Sequence, residues 1–279
     1  MLKETFNISQ YVSGSILTVM VAAVIFFGIK GIARVCGFLV PFMAFFYVVG
    51  CVAILIMNAP FLGRTITLIF RSAFSVQAVG GGMAGGGLMI AMRYGIARGL
   101  FSNESGMGSA PIVAAAAKTK NPVRQALVSA TGTFWDTVVV CALTGLVLVT
   151  SIIRYPEINY SDGARLTKMA FSKISFFGPL ILTVGLITFA FSTILGWSYY
   201  AEKAIEYLGG KKAIVYYRIL WVAGVFLGSV AHLSMIWDLA DSMNALMAIP
   251  NLISLLLLSG ILARETNKYL WSGKLNDNE

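Results

Sequence analysis

Seven apolar runs, each long enough to cross a bilayer, dominate this sequence of 279 residues. A helix of about 20 apolar residues crosses a hydrocarbon core about 30 Å thick. Because lipid offers the backbone no hydrogen-bond partner, such runs predict helices. Only 12% of the residues are charged and 58% are hydrophobic, which excludes an ordinary soluble domain. The sequence therefore predicts an all-α, polytopic membrane protein with about seven transmembrane helices, at residues 11–28, 38–58, 73–97, 123–151, 175–198, 212–231 and 233–262.

Pro250 divides the last of these runs. A proline inside a helix removes a backbone hydrogen bond, so the run predicts either one kinked span or two short segments. An eighth span would move the basic C-terminal tail to the other side of the membrane. The charge pattern therefore favours a single span.

Basic residues concentrate in alternate connections and in the tail, which indicates topology rather than nucleic-acid binding, despite the net charge of +9. By the positive-inside rule these segments face the cytoplasm. We expect a polar N-terminus at 1–10, a membrane domain at 11–265 and a polar cytoplasmic tail at 266–279. The residues that carry this pattern are Lys30, Arg34, Arg93, Arg98, Lys118, Lys120, Arg124, Lys203, Lys211, Lys212, Arg218, Arg264, Lys268 and Lys274.

Six of the eight residues from Gly80 to Gly87 are glycine, inside the third run. The match to the dinucleotide pattern GxGxxG is rejected, because that pattern needs a soluble βαβ unit. Close helix packing through small residues is one interpretation. The other is a discontinuous helix, because each interior glycine costs about 1 kcal/mol relative to alanine. Transporters bind substrate at such breaks, and Ser75 and Gln77, just before the glycines, would add polar ligands.

The motif FAFSTILGW, Phe189 to Trp197, lies in the fifth run. The hydroxyls of Ser192 and Thr193, with the carbonyl of Phe189 one turn back, would supply part of an oxygen shell for sodium. The alternative is that these hydroxyls bond back to the helix carbonyls. Trp197 lies one turn beyond Thr193 on the same face, as a pocket wall or an interface anchor.

Three carboxylates lie inside apolar runs. Asp136 is near the middle of the fourth run, and Asp238 and Asp241 are in the last. Intramembrane carboxylates face the protein interior or water, so either a coupling-ion role or a structural pairing is open. His232, near a span end, is given no role. Nothing in the sequence supports an enzyme, since no nucleophile–base pair, metal cluster or nucleotide motif occurs in it.

Five stretches together resemble the alanine or glycine:cation symporter family. They are GIKGIARVCGFLVPFMAFFYVVG, AMRYGIARGLFSNESGMGSAPIVAAAAKTKNPVRQ, GTFWDTVVVCALT, FAFSTILGWSYYAEKAIEYL and WDLADSMNALMAIPNLISLLLLSG. The similarity covers about residues 28 to 265, and RGLFSNE, GSAP and FSTILGWSYY are its most specific parts.

The resemblance implies sodium-coupled symport of small neutral amino acids, alanine or glycine, through a fold of five plus five inverted-repeat helices. It implies that the glycine segment is the broken first helix of the second repeat, with Gly81, Gly82 and Gly85 at the substrate. It also places Thr193 and Trp197 at the side-chain pocket. Phe189, Ser192 and Thr193 are then the sodium ligands. Sodium is the coupling ion and no other cofactor is implied.

Members of this family begin with about four more spans, which include the first repeat's broken helix. The resemblance therefore predicts the C-terminal portion of the fold in an N-terminally truncated form, with weak or no transport by this chain alone. The rival interpretation is a non-transporting membrane fragment, or a subunit whose partner supplies the missing helices. The expected location is the inner (plasma) membrane, multi-pass, with a cytoplasmic C-terminus.

Overall fold

The structure, a computed structural model, describes residues 7–74, 95, 99, 101–156, 163–173, 177–231 and 233–275. Helices are the only regular elements in these ranges, which confirms the all-α prediction. The first elements are α1 (Gln10–Ile25), α2 (Gly28–Met57), α3 (Ala59–Phe74), α4 (Ala110–Ala114), α5 (Pro122–Thr133) and a π-helical segment, π1 (Phe134–Cys141). They are followed by α6 (Ala142–Arg154), α7 (Gly163–Ser172), α8 (Phe177–Gly209), α9 (Ala213–Val230), α10 (Leu233–Thr266) and a second π-helical segment, π2 (Asn267–Trp271).

Within the described ranges, five helical stretches are long and apolar enough to cross a membrane, as a multi-pass protein requires. The first predicted run, at 11–28, forms α1, which is apolar but only 16 residues long. The predicted run at 73–97, with its glycine segment, lies largely outside the described residues. The five stretches are Gly28–Met57, Pro122–Arg154, Gly178–Gly209, Ala213–Val230 and Met235–Trp271.

Two predicted connections are helical. Lys30 and Arg34 lie in the first turns of α2, because the link from α1 consists only of Phe26 and Phe27. Lysine and arginine are good helix formers with long apolar stems, so charge alone did not end the helix. The region after α2 forms α3, which starts with proline in its first turn, where the missing N–H costs nothing.

Pro250 lies inside the continuous helix α10, so the last run is one helix and not two segments. Three other helix ends are defined by local contacts or by backbone conformation. Ser109 precedes α4, but its hydroxyl donates to Glu104 Oε2 at 2.8 Å instead of capping the helix. Asn121 caps the start of α5 with its side-chain oxygen. Gly210, with φ of +71°, directly follows the end of α8 at Gly209, a conformation that glycine adopts without strain.

The chain forms two compact units, each built from two segments of sequence. The first unit comprises residues 1–88 and 140–231, and the second comprises 89–139 and 232–279. The core of the first unit lies where α2 packs against α8, with α6 and α7 beside them. Its fully or nearly fully buried side chains are Tyr47, Cys51, Ile54, Val147, Ala170, Phe171 and Leu182.

Glycines allow α2 and α8 to approach closely. A Cβ added at Gly50 would lie 2.6 Å from Ile181 Cγ2, and one added at Gly185 would lie 3.5 Å from Tyr47 Cδ2. Tyr47 then fills the space between them. Its ring stacks on Phe171 with centroids 5.9 Å apart and meets the edge of Phe189 at 5.8 Å. Small residues at such crossings are how membrane helices gain dispersion contacts without a hydrophobic driving force.

In the second unit, α4 packs on α5 and α5 on α10. Gly108, two residues before α4 begins, has φ of +87°, and a Cβ there would be 3.2 Å from Asn251 of α10. The amide of Asn121 donates to the carbonyl of Leu275 at 3.1 Å, which ties the start of α5 to the C-terminal residues.

Replacement of Gly50 by alanine tests the close approach of α2 and α8. Its methyl group must displace Ile181, so we expect destabilisation of about 1–3 kcal/mol, seen as a lower thermal midpoint by tryptophan fluorescence in detergent. Gly37→Ala in the same helix is the control, because nothing lies within 4 Å of its Cβ position. It should be neutral or stabilising by up to about 1 kcal/mol. Equal midpoints for the two variants would contradict the packing described.

Candidate functional site

Half of the predicted site lies outside the described residues. Ser75, Gln77, Gly81, Gly82 and Gly85 all belong to that part of the chain. Their predicted roles at the substrate therefore stay predictions. The other half, from Phe189 to Trp197, lies in α8 within the first unit.

Ser192 and the carbonyl of Phe189 lie together on α8. The Ser192 hydroxyl donates to that carbonyl at 3.0 Å and lies 3.5 Å from the sulfur of Met43 on α2. Its side chain is only 8% exposed. The hydroxyl thus bonds back to a helix carbonyl, the alternative that the sequence left open beside a sodium shell, with the acceptor three positions earlier rather than four. The structure brings the two predicted oxygen ligands into contact, and Met43 covers them on one side.

Thr193 points away from this buried contact. Successive residues of an α-helix are about 100° apart around its axis, so Ser192 and Thr193 present different faces. Thr193 is exposed on the surface of the first unit, whereas Ser192 is buried. Trp197 is half-buried one turn beyond Thr193, and its ring meets the edge of Tyr200 with centroids 5.5 Å apart. Thr193 and Trp197 therefore share a face, as their spacing predicted.

Tyr47 holds Phe189 from the opposite helix, and the sequence reasoning missed it. Its ring meets that of Phe189, while its hydroxyl forms a 2.8 Å hydrogen bond with the hydroxyl of Thr144 on α6. Thr144 also donates to the carbonyl of Val140 at 2.7 Å. The sequence signal that could have identified Tyr47 is a tyrosine inside an apolar run. A buried phenol needs a hydrogen-bond partner, so such a residue indicates a polar contact between helices.

A charged pair fixes α8 ten residues beyond Ser192. Glu202 accepts from Arg218 of α9 through both carboxylate oxygens, at 2.8 and 3.0 Å. The two side chains are 10% and 18% exposed. Next to it, the Tyr217 hydroxyl donates to the carbonyl of Ser198 at 2.9 Å. The sequence reasoning had counted Arg218 among the loop charges; it lies inside α9 and pairs with a carboxylate.

The intramembrane carboxylates belong to the second unit. Asp136 lies in π1, and both of its oxygens are 3.0 Å from the hydroxyl of Ser102. Asp238 and Asp241 lie in the first third of α10. His232 is outside the described residues. Sequence reasoning had flagged Asp136 without finding its hydroxyl partner.

A model of the sodium:alanine symporter family matches residues 1–279. Similar curated proteins include the sodium/alanine symporter AgcS of Methanococcus maripaludis, which is 49% identical over 95% of this chain and 58% of its own length. An uncharacterised transporter of Haemophilus influenzae is 46% identical over 99% of this chain and 60% of its own length. The amino-acid carrier protein AlsT of Bacillus subtilis is 35% identical over 93% and 55%. The chain thus spans a little over half the length of the relatives it matches.

Removal of one member of the Glu202–Arg218 pair tests whether it fixes α8 against α9. Glu202→Gln leaves a partly buried guanidinium without its counter-charge. We expect a loss on the order of 2 kcal/mol, below the about 3–5 kcal/mol of fully buried pairs because both side chains keep some exposure. The thermal midpoint in detergent measures it.

The matched control is Lys203→Gln, which removes a cation on the same helix whose partner, Glu206, lies 2.6 Å away at i+3 in a more exposed pair. Such pairs contribute little, so its midpoint should be unchanged. In a double-mutant cycle, Arg218→Gln added to Glu202→Gln should cost less than the sum of the single changes. Strict additivity would mean that the pair does not couple the helices.

Proposed function

We propose that this chain, which belongs to the sodium:alanine symporter family, carries part of the sodium and substrate sites of a secondary active transporter. Its substrate is a small neutral amino acid, alanine or glycine, and sodium is the coupling ion. The proposal is supported by the similarity to AgcS, which is named a sodium/alanine symporter, and by the arrangement on α8. The protein is a multi-pass membrane protein, and we place it in the inner (plasma) membrane with a cytoplasmic C-terminus.

The observation that carries the proposal is the 3.0 Å contact between the Ser192 hydroxyl and the Phe189 carbonyl. The helix has 33 residues, so Ser192 lies about 23 Å from one end and about 26 Å from the other, at a rise of 1.5 Å per residue. Transporters of this general design bind substrate and ions at the same depth, near the bilayer midplane.

Sodium would bind by replacing a hydrogen bond. Hard cations take oxygen ligands at about 2.3–2.6 Å, as calcium does. Two oxygens 3.0 Å apart can both lie within that distance of one ion. The Ser192 hydroxyl then rotates its proton away from the Phe189 carbonyl, and both lone pairs face the ion. The Thr193 hydroxyl is the third proposed ligand; because Thr193 lies on the more exposed side of α8, it would reach the ion only from that open side.

Thr193 and Trp197 supply the proposed limit on side-chain size. They lie one turn apart on one face, and the indole packs edge-to-face with the ring of Tyr200. A bulky wall at this depth admits a hydrogen or methyl side chain and rejects larger ones by overlap. The amino and carboxylate groups of the substrate are assigned to the glycine segment with Gly81, Gly82 and Gly85, and to Ser75 and Gln77.

Sodium binding at this site stabilises the conformation that binds the amino acid. Binding energies at two sites couple reciprocally, so sodium that raises the affinity for alanine is itself bound more tightly when alanine is present. The sodium gradient then drives uptake, because the ion and the substrate cross in one conformational cycle.

Cysteine protection in host membranes tests the pocket assignment. Thr193→Cys is made in a variant in which Cys36, Cys51 and Cys141 are alanine. We expect a water-soluble thiol reagent to modify it, and alanine with sodium to slow the modification severalfold, because a bound substrate covers the thiol. The control is Leu208→Cys, which is 79% exposed near the end of α8. Its modification should be indifferent to alanine.

The sodium assignment is tested in the same assay. Ser192→Ala should abolish the sodium dependence of protection, or raise the sodium concentration needed for it by about tenfold or more, which is about 1.4 kcal/mol of ion affinity. Protection that is equal in sodium and in potassium, with Ser192 intact, would contradict sodium coupling. An alanine-independent rate at Thr193→Cys in folded protein would remove the pocket assignment.

A further inference from the structure

We infer that the second unit holds its own monovalent cation site, formed by Asp136 and Thr137 of π1 with Ser102 and Asn103 of the SNESG segment. We assign sodium as the ion bound at this site. The inference deepens the proposed function and rests on it only for the identity of the ion. It shares no residue with the Phe189–Ser192–Thr193 site.

Asp136 occupies a costly position. The helical stretch Pro122–Arg154 has 33 residues and contains an 18-residue window with a mean hydropathy of 2.2, and Asp136 lies near the middle of the stretch. A carboxylate at this depth is expensive unless something compensates its charge. Among the described residues, no ion pair includes Asp136, so its compensation there comes from hydroxyl groups.

Oxygen atoms converge on this carboxylate. The Ser102 hydroxyl lies 3.0 Å from both Oδ1 and Oδ2, a forked contact that a single hydroxyl proton cannot satisfy well on both sides. The Thr137 hydroxyl lies 3.3 Å from Oδ2. The side-chain amide of Asn103 lies 2.6 Å from the Thr137 hydroxyl. Asn103 in turn contacts Ser105, which lies 3.4 Å from Thr133.

The backbone is irregular at this point. Phe134–Cys141 is π-helical, whereas the flanking segments are α-helical. Widened helical turns of this kind occur frequently at functional sites, because they re-aim side chains and loosen backbone pairing. Irregular backbone at membrane depth is tolerated where it is buried in protein or lines a water-filled cavity. The half-buried carboxylate of Asp136 is therefore placed where an ion can reach it.

The chemistry of the cluster selects its occupant. Carboxylate, hydroxyl and amide oxygens are the ligands of hard cations, and thiol or imidazole ligands are absent from the four side chains. One carboxylate supplies a single negative charge, which a monovalent ion neutralises. Oxygen separations of 3.0 to 3.3 Å are compatible with ligands of one cation. Rotation of two hydroxyls and a flip of the Asn103 amide would turn three oxygens towards it, in addition to the carboxylate of Asp136.

The SNESG segment gives the site a structural consequence. Glu104 has φ of +57° and accepts from Ser109, and the segment leads through Gly106 and Gly108, both with positive φ, into α4. A cation bridging Ser102 and Asp136 would fix this tight segment against π1. Without the ion, Ser102 and Asp136 are joined by the hydroxyl–carboxylate hydrogen bond.

Equilibrium binding of radioactive sodium to the purified protein tests the inference. Asp136→Asn should lower the number of sodium ions bound per chain, or weaken one class of site by at least about tenfold. The matched control is Asp238→Asn, which removes an intramembrane carboxylate from the same unit and should bind sodium as the unchanged protein does. Thr137→Val and Ser102→Ala keep the negative charge of Asp136 and should weaken sodium binding at the same class of site. They replace Asp136→Asn as the test if that variant does not fold.

Sodium binding by Asp136→Asn, Thr137→Val and Ser102→Ala equal to that of the unchanged protein would overturn the inference. An effect of Asp136→Asn equal to that of Asp238→Asn would also overturn it, since the loss would then follow charge alone. A different result would contradict the proposed function alone. In that case alanine would not protect Thr193→Cys, while sodium would still bind in a way that depends on Asp136. Conversely, if Asp136→Asn leaves both the alanine protection of Thr193→Cys and the binding of sodium unchanged, that result contradicts only the proposed cation site at Asp136.

Discussion

The close contact between α2 and α8 is the constraint on which the described half of the site depends. Gly50 and Gly185 bring the two helices together, and Tyr47 fills the space between them. Tyr47 also packs against the ring of Phe189, whose carbonyl accepts a hydrogen bond from the Ser192 hydroxyl. A Cβ at Gly50 would lie 2.6 Å from Ile181 Cγ2, so a side chain there would disturb the packing of α2 against α8.

The helices were predictable from hydrophobic run length, and their ends were not. Runs of 20 or more apolar residues leave the backbone no alternative in lipid. The ends at Gly28 and Ala59 escaped prediction because charges at 30 and 34 were taken as loop signals, although a helix tolerates them in its first turns. The contact of Arg218 with Glu202 was not predicted either, because Arg218 was also taken as a loop charge. The hydrophobic runs that predict α8 and α9 do not show which of their side chains meet.

The contacts around the candidate site were only partly predictable from the sequence. The FAFSTILGW motif identified Phe189 and Ser192, and the structure places their oxygens in contact. It could not show that Met43 and Tyr47 cover them, because those residues are about 150 positions away in sequence. Likewise Asp136 was flagged by its position in an apolar run, but the π-helical turn and the hydroxyl of Ser102 depend on backbone geometry.

The central claim is that the Phe189 carbonyl and the Ser192 hydroxyl exchange their hydrogen bond for a cation. The most direct measurement is an experimental structure of the protein in sodium, repeated in thallium, whose anomalous scattering marks a monovalent site. The account predicts a scatterer within coordination distance of both oxygens, roughly 2.3–2.6 Å for sodium and somewhat longer for thallium. A Ser192 hydroxyl still bonded to the Phe189 carbonyl, with no scatterer beside it at saturating ion, would contradict the claim.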